Sequence, residues 1–353
     1  MGTPHFDSNP SFPQTTIFIG NGFDLSLGLR SKYIDFFNHI DENGNKDYWP
    51  IHDSFSEEDQ LYKALNGEYA SFGKQKNLSE KSTWFDLEYE LKKHAMRTST
   101  QGVPYALDYE KSFVSDQKYF EEVRNGLMLY LKHEVKDWGE GRHTRAHKSS
   151  AYQLIYEICG RAEADPNIIT FNYTNILSLL EKCEGNCTRK IHINANKIQH
   201  VHGSLLDDHI ILGINEDKDV RKEYDFLFKS WDEHYNSHQV IDTLRNSEII
   251  FFFGLSFDAI DSVYFVDFFK SIIKGTYDNH KKHIVICTYN EDSMREIYRQ
   301  FFQMGISIME LKAHSDFNVL LTNPNNKWHP LKFENDKIAF WLYVWNDIKV
   351  DVH

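Results

Sequence analysis

Hydrophobic residues form short, unbroken runs that are typical of buried strands, and stretches with helical spacing lie between them. The runs that most resemble strands are TTIFI at 15–19, NIITFN at 167–172, SEIIFFFG at 247–254, KHIVICTY at 282–289 and ISIMEL at 306–311. Helical spacing follows four of them, at 31–40, 174–182, 258–273 and 291–304. This alternation predicts an open, mostly parallel α/β sheet flanked by helices.

Shorter patterns complete the prediction. KIHIN at 190–194, IQHVHG at 198–203 and HIILG at 209–213 favour neighbouring strands or a hairpin, and residues 223–245 favour helix. The stretch after the first strand lacks alternating patterns and contains helical ones, the longest at 109–138. The predicted organisation is a disordered lead-in at 1–14, a core at 15–40 and 148–315, a helical insertion at 41–147, and a C-terminal segment at 316–353 that packs on the core.

Composition and charge narrow the class of protein. Of 353 residues, 41% are hydrophobic and 26% are charged, which is typical of a globular protein. A formal net charge of −13 argues against a broad surface for nucleic acid, and no apolar run approaches the ~20 residues that span a bilayer. Four cysteines, interpreted as mostly core residues, and an N-terminus without secretory features favour a cytoplasmic protein.

Glycines and small polar residues follow two of the predicted strands, where open α/β sheets bind ligands. Gly20 and Gly22 would let the backbone approach a ligand and direct N–H groups at a phosphate, although a plain tight turn explains them too. Leu25 stands where a dehydrogenase fingerprint needs a third small residue, so that fingerprint is absent. Gly254 and Ser256 resemble a phosphate or ribose contact.

Side chains suited to catalysis follow other predicted strands. His200 and His202 share one face of a strand, where they could bind a metal, supply a base or serve a structural role. Cys183 and Cys187 are four residues apart and do not form the CxxC pair of a zinc site. Asn172 suits a sugar hydroxyl or a water, or caps the next helix.

Five segments, taken in order, resemble the bacteriophage abortive infection AbiH family. They are GNGFDLSLGLRSKYIDFF at 20–37, WFDLEYEL at 84–91, TFNYT at 170–174, HVHG at 200–203 and FFGLSFDAID at 252–261. The resemblance covers nearly the whole chain and implies a role in antiviral defence.

The same series is similar, more distantly, to sirtuin-like NAD-binding proteins, which implies a Rossmann-like, sirtuin-like sheet with NAD as substrate or ligand. The resemblance implies that His202 is a general base and that Asn172 positions ribose or water. It also implies an NAD-binding set, namely Gly20, Asn21, Gly22, Phe23, Asp24, Arg30, Thr174, Gly203, Gly254 and Ser256.

Three departures from the sirtuin-like pattern bear on activity. Thr174 stands where those proteins usually have Asp, which affects ribose binding, and Arg30 replaces the usual Pro. Paired CxxC motifs are absent, so lysine deacetylation is not expected. The resemblance therefore implies that the chain is similar to the branch of sirtuin-like defence proteins that cleave NAD.

The expected function is hydrolysis of NAD to nicotinamide and ADP-ribose during abortive infection, with no metal. Expected partners are NAD or a related nucleotide, a phage-derived trigger or defence protein, and a second copy of the chain, but neither membrane nor nucleic acid. Two alternatives stay open. One is a metal-dependent nuclease or phosphoesterase that uses His200, His202 and Asp207 or Asp208, and the other is a non-enzymatic nucleotide sensor of infection.

Overall fold

The computed structural model describes residues 14–43, 61, 65, 86–100, 109–161, 165–184, 191–235, 237–258, 260–276 and 282–323. The predictions for the lead-in at 1–13, for Cys187 and for residues 324–353 lie outside the described residues, as does most of 44–85.

A parallel sheet of six strands forms the centre of the described chain. The six strands are β1 (Thr15–Ile19), β2 (Asn167–Thr170), β3 (Ile198–His200), β6 (Ile249–Phe253), β7 (His283–Thr288) and β8 (Asp316–Leu321). A separate two-stranded hairpin consists of β4 (Gly203–Ser204) and β5 (His209–Ile210). The order in the sheet is β3-β2-β1-β6-β7-β8, so the direction of strand addition reverses between β1 and β6. This confirms the predicted α/β class with a mostly parallel sheet.

Helices connect the strands. They are α1 (Gly22–Leu27), α2 (Tyr33–Asn43), α3 (Leu87–Thr100), α4 (Tyr109–Glu140), α5 (Ser150–Ile155), α6 (Ile176–Glu184), α7 (Ser237–Asn246), α8 (Val266–Ile273), α9 (Glu291–Gln303) and α10 (Ile308–His314). The long helical pattern predicted at 109–138 corresponds to α4. No helix within the described ranges is both long and apolar enough to cross a membrane.

Both faces of the sheet are covered, because successive strand residues point to opposite sides. Ile17 and Phe251 pack with α1, α5 and α6 on one face. Phe18 and Phe252 pack with α7, α8 and α9 on the other. A third apolar cluster joins α3 and α4 to residues near the β4–β5 hairpin, such as Ile210. Burial on both faces explains why the central strands are continuous apolar runs rather than alternating ones.

Three predicted elements differ from the structure. ISIMEL, predicted as a strand, forms the start of α10, because the Ser307 side chain accepts a hydrogen bond from the Glu310 N–H and caps the helix. KIHIN at 190–194 contains no strand in its described part, 191–194. Residues 223–245 form short 3-10 turns followed by α7 rather than a continuous helix. The segment predicted at 316–353 to pack on the core begins with β8, which is the edge strand of the sheet itself.

Two glycines bring the ends of β1 and β6 into direct contact. Gly254 has φ +66°, and a Cβ on it would lie 2.4 Å from the Gly22 Cα.

We expect Gly254→Ala to lower the free energy of unfolding by about 3–4 kcal/mol, because the backbone must move and alanine must also adopt a strained φ. Gly275→Ala is the matched control: φ is +67° there, nothing lies within 4 Å, and the cost should be about 1 kcal/mol. Equal losses in urea denaturation would contradict the role assigned to the contact.

Candidate functional site

A cavity of about 130 Å³ lies at the carboxyl ends of β1, β2 and β6, where the strand order reverses. Its lining residues are Gly20, Asn21, Asp24, Ser31, Tyr33, Asp86, Glu88, Leu127, Leu131, Phe171, Asn172, Tyr173, Thr174, His202, Gly254, Leu255, Ser256, Asp258 and Asp261. The cavity thus occupies the position where open α/β sheets bind ligands. Its wall combines strand ends of the sheet with side chains from α3 and α4.

Eight of the twelve residues predicted for the site line this cavity: Gly20, Asn21, Asp24, Asn172, Thr174, His202, Gly254 and Ser256. The other four do not line it. Phe23 is buried in the core against Phe253, and Gly22 packs on the backbone at the end of β6. Gly203 lies in the β4–β5 hairpin, and Arg30 is exposed.

Three N–H groups of the glycine turn are already used within the fold. The N–H groups of Gly20 and Gly22 donate to the carbonyl oxygens of Phe253 and Gly254, and the Phe23 N–H donates to the Gly20 carbonyl. The glycines therefore permit close packing of β1 against β6. This finding corrects the expectation that Gly20 and Gly22 direct their N–H groups at a phosphate, because both N–H groups already donate within the fold.

Asp24 is a buried carboxylate held by two neutral donors. Asn172 Nδ2 donates to one oxygen at 2.8 Å, and Thr174 Oγ1 donates to the other at 2.7 Å. Burial raises the pKa of Asp24 to about 6, although both hydrogen bonds lower it. Thr174 supplies a neutral donor at a position where a second carboxylate would repel Asp24.

His202 lies at the cavity wall beside a buried ion pair. Its Nε2 is 3.3 Å from the Tyr264 hydroxyl and 3.4 Å from Lys229 Nζ, and this Nζ donates to a Glu88 oxygen at 2.9 Å. Burial and the positive charge of Lys229 hold the pKa of His202 well below its usual range. The imidazole is therefore neutral at pH 7, with its Nε2 lone pair facing two donors.

The ion pair of Lys229 and Glu88 is almost completely removed from water. Burial opposes the charge of Lys229, but Glu88 and Asp261 together raise its pKa above the usual range. Burial raises the pKa of Glu88, while Lys229 lowers it. Glu88 also accepts a hydrogen bond from the Gly213 N–H at 3.3 Å. We conclude that Lys229 is charged and that Glu88 is its counter-ion.

The cavity is strongly acidic, because Asp86, Glu88, Asp258 and Asp261 line it together with Asp24. Burial and the charges of Asp258 and Glu88 raise the pKa of Asp86 to about 7. Burial and Asp258 raise the pKa of Asp261 well above its usual range. One oxygen of Asp261 is buried without a hydrogen-bond partner among the described residues. Such a cavity favours cationic and hydroxyl groups over phosphates.

Because these carboxyl groups have raised pKa values, the stability of the folded protein should decrease as the pH rises. Asp24 and Asp86 have a pKa of about 6 and about 7, against 3.8 for an aspartate in water, so the folded protein keeps protons that the unfolded chain has lost. Their stabilising contribution is complete below pH 3.8 and is lost as the pH rises through 6 and 7. We expect a higher urea midpoint at about pH 5 than at about pH 8. A higher midpoint at the alkaline pH would contradict these shifts.

The histidines and aspartates of the metal-dependent alternative have separate environments. His200 Nδ1 lies 3.2 Å from the carbonyl oxygen of Asn172, and burial lowers the pKa of His200. His202 faces Tyr264, while Asp208 pairs with a lysine of α4. These side chains are not grouped as ligands of one ion.

Comparison with known families identifies the chain. The family described as bacteriophage abortive infection AbiH matches residues 16–286. The chain belongs to the AbiH family. Membership implies a function in abortive infection by bacteriophage, and it confirms that part of the resemblance. The AbiH match includes β1 from Thr16 onward, β2, β6 and the whole lining of the cavity. No curated protein matches the chain.

Sequence reasoning about this AbiH chain missed several of the groups that define the cavity. Asp86 and Glu88 stand in the WFDLEYEL segment, which was predicted to be part of a helical insertion. Asp258 and Asp261 belong to the FFGLSFDAID segment that carries the family resemblance. Their signal was the presence of carboxylates in both segments. Lys229 gave no such signal, because it lies in a short 3-10 turn without periodicity.

Proposed function

We propose that this AbiH protein acts in phage defence by hydrolysing the bond between nicotinamide and ribose in NAD. The observation that carries the proposal is the acidic cavity at the strand-order reversal, with Asp24 held in place by Asn172 and Thr174. Nicotinamide in NAD carries a positive charge, and cleavage passes through a cationic ribose. The ionised carboxylate of Asp24, held in place by two hydrogen bonds, would stabilise such a centre as it develops.

The topology supports a nucleotide as the ligand. When only the strands of the six-stranded sheet are counted, their order is 3-2-1-4-5-6, which is the order of Rossmann dinucleotide-binding sheets. The cavity lies at the reversal point of that order. This agreement supports the Rossmann-like part of the proposal, and the sirtuin-like part rests on the sequence motifs alone.

The reaction requires a group that takes a proton from water. In our proposal the C1′–N bond breaks, and nicotinamide leaves as a neutral molecule with the bonding electron pair. Water adds to C1′ and gives its proton to Asp24, so the products are nicotinamide, ADP-ribose and a proton. A carboxylate with a pKa of about 6 is mostly ionised at pH 7 and still accepts a proton readily.

We assign the base to Asp24 rather than to His202, which is the base that the sirtuin-like resemblance implies. The lone pair of His202 Nε2 faces Tyr264 and Lys229, and a proton on Nε2 would be repelled by the charge of Lys229. His202 is therefore proposed as a positioning residue for the cavity wall. Asn172 keeps its proposed role at the site, because it holds Asp24 and lines the cavity.

The diphosphate of NAD is proposed to lie at the rim rather than in the acidic interior. Ser256 is exposed at the cavity edge, and its hydroxyl donates to Asp258 at 2.7 Å. Repulsion from Asp258 would disfavour a phosphate deeper in the cavity. The interior of the cavity is therefore proposed to bind the nicotinamide riboside portion of NAD.

Measuring NAD during infection tests the proposal. Bacteria that carry the wild-type protein, Asn172→Ala or the exposed control Asn196→Ala are infected with phage, and NAD, nicotinamide and ADP-ribose are quantified by mass spectrometry. We expect NAD to fall with the wild type and the control. The loss should be about tenfold slower or more with Asn172→Ala, because Asp24 loses one of the donors that keep it ionised.

The outcome also separates the alternatives. Steady NAD in wild-type cells that still resist phage would refute NAD hydrolysis. Degraded nucleic acid in those cells would indicate a nuclease, and saturable NAD binding by the purified protein without turnover would indicate a sensor. Thermal unfolding of each purified variant shows whether Asn172→Ala is folded.

A further inference from the structure

We propose that His209, Asp232 and His234 form a binding site for a divalent transition-metal ion, with Zn²⁺ as the best match. Each residue offers one ligand atom, and these atoms all lie within 4.8 Å of one another. His209 Nε2 is 2.8 Å from one Asp232 oxygen, and His234 Nδ1 is 3.4 Å from the other. The two imidazole rings are 4.8 Å apart between centroids.

The chemistry of these ligands selects the metal. Two imidazoles and one carboxylate suit Zn²⁺ and neighbouring first-row metals, whereas Ca²⁺ and Mg²⁺ prefer oxygen ligands. His209 is half-buried and His234 is exposed, so the site faces solvent and an ion can enter. Three protein ligands leave a tetrahedral ion one position for water.

The fold prepares this geometry before any ion binds. Asp232 and His234 lie in one turn, in which the His234 N–H donates to an Asp232 oxygen at 3.0 Å. His209 belongs to β5 and lies 23 residues before Asp232 in the chain. Both Asp232 oxygens therefore already face an imidazole, and an ion would replace the hydrogen bond between His209 and Asp232.

The site lies outside the proposed cavity but on the same two segments that reach it. None of the three ligands lines the cavity. The His202 carbonyl accepts a hydrogen bond from the Ile211 N–H just after β5, and the Lys229 carbonyl accepts one from the Asp232 N–H. A bound ion would therefore join the segments that carry His202 and Lys229, and it would not contact the reacting atoms.

Metal titration tests the site without reference to NAD. The full chain without a histidine tag is titrated with ZnCl₂ by calorimetry and with CoCl₂ by visible absorption, which reports the coordination geometry. We expect one ion per chain and an intense cobalt spectrum of tetrahedral type. His209→Ala and His234→Ala should each weaken binding about tenfold or more, because even the supporting partners of metal ligands have effects of that size.

His238→Ala is the matched control, because His238 is an exposed histidine of α7 outside the cluster. It should bind Zn²⁺ as the wild type does. Zn²⁺ should also raise the thermal midpoint of the wild type and of His238→Ala but not of the double variant His209→Ala/His234→Ala. Equal affinity in the double variant, or no binding by the wild type, would overturn the proposal whatever the outcome of the NAD experiment.

Discussion

Replacing Asp24 with Asn should greatly slow NAD hydrolysis while making the folded protein more stable. The amide has the shape of the carboxylate and keeps partners in Asn172 and Thr174, because a hydroxyl both donates and accepts. It cannot take a proton from water at neutral pH, so turnover should fall about 100-fold or more. Nicotinamide release by the purified protein, or NAD loss in infected cells, measures this effect.

The gain in stability follows from the pKa of Asp24. At pH 7.5 the folded protein contains a buried carboxylate whose pKa is about 6, so its ionisation opposes folding. Asn carries no such cost, and we expect the free energy of unfolding to rise by about 1–3 kcal/mol. The gain should disappear near pH 4, where the folded wild type is protonated at Asp24.

An exposed carboxylate provides the control for this variant. Asp219→Asn should change neither turnover nor the free energy of unfolding by a measurable amount. Full activity of Asp24→Asn would refute Asp24 as the base, and a loss of stability at pH 7.5 would refute the raised pKa. A gain in stability together with a loss of activity is the result expected when a catalytic residue is replaced.

Removing the charge of Lys229 should strongly destabilise the protein. Lys229→Met leaves Glu88 buried, with the Gly213 N–H as its remaining donor among the residues that the structure describes, and the free energy of unfolding should fall by about 3–5 kcal/mol. The double variant Lys229→Met/Glu88→Gln should recover part of that loss, because no unpaired charge remains. Urea denaturation of the three proteins measures both effects.

A second measurement links this variant to His202. Burial and the charge of Lys229 together hold the pKa of His202 down, so Lys229→Met should raise that pKa, which NMR titration of the imidazole detects. Lys92→Met is the control, since Lys92 forms a partly exposed pair with Asp217 and should cost about 1 kcal/mol or less. A loss in Lys229→Met no larger than that of the control would contradict the buried ion pair.

The sequence was sufficient for those parts of the fold that depend on local patterns. The strand at 15–19 and the runs around β6 and β7 are buried on both faces, so continuous apolar residues identify them. ISIMEL has the composition of a strand, but the capping pair Ser307 and Glu310 starts a helix there. A capping box is also a local signal, and it outweighs β-branched residues in this segment.

The candidate site could be predicted only in part, because its groups come from distant segments. Asn172 and His202 follow strands of the sheet, so their position at its edge follows from the pattern. Glu88 and Lys229 are 141 residues apart and meet only when α3 packs on the turn after β5. No spacing along the chain encodes such a pairing, since it depends on tertiary packing.

Glu88 makes the integrity of the cavity depend on the segment between β1 and β2. This side chain belongs to α3, and it neutralises Lys229, which lies in a 3-10 turn between β5 and α7. Undocking α3 would leave Lys229 in an apolar setting without a counter-ion, which is costly. The helical segment and the sheet should therefore unfold as one cooperative unit, and amide hydrogens of α3 and of β1 should exchange with solvent through the same global opening.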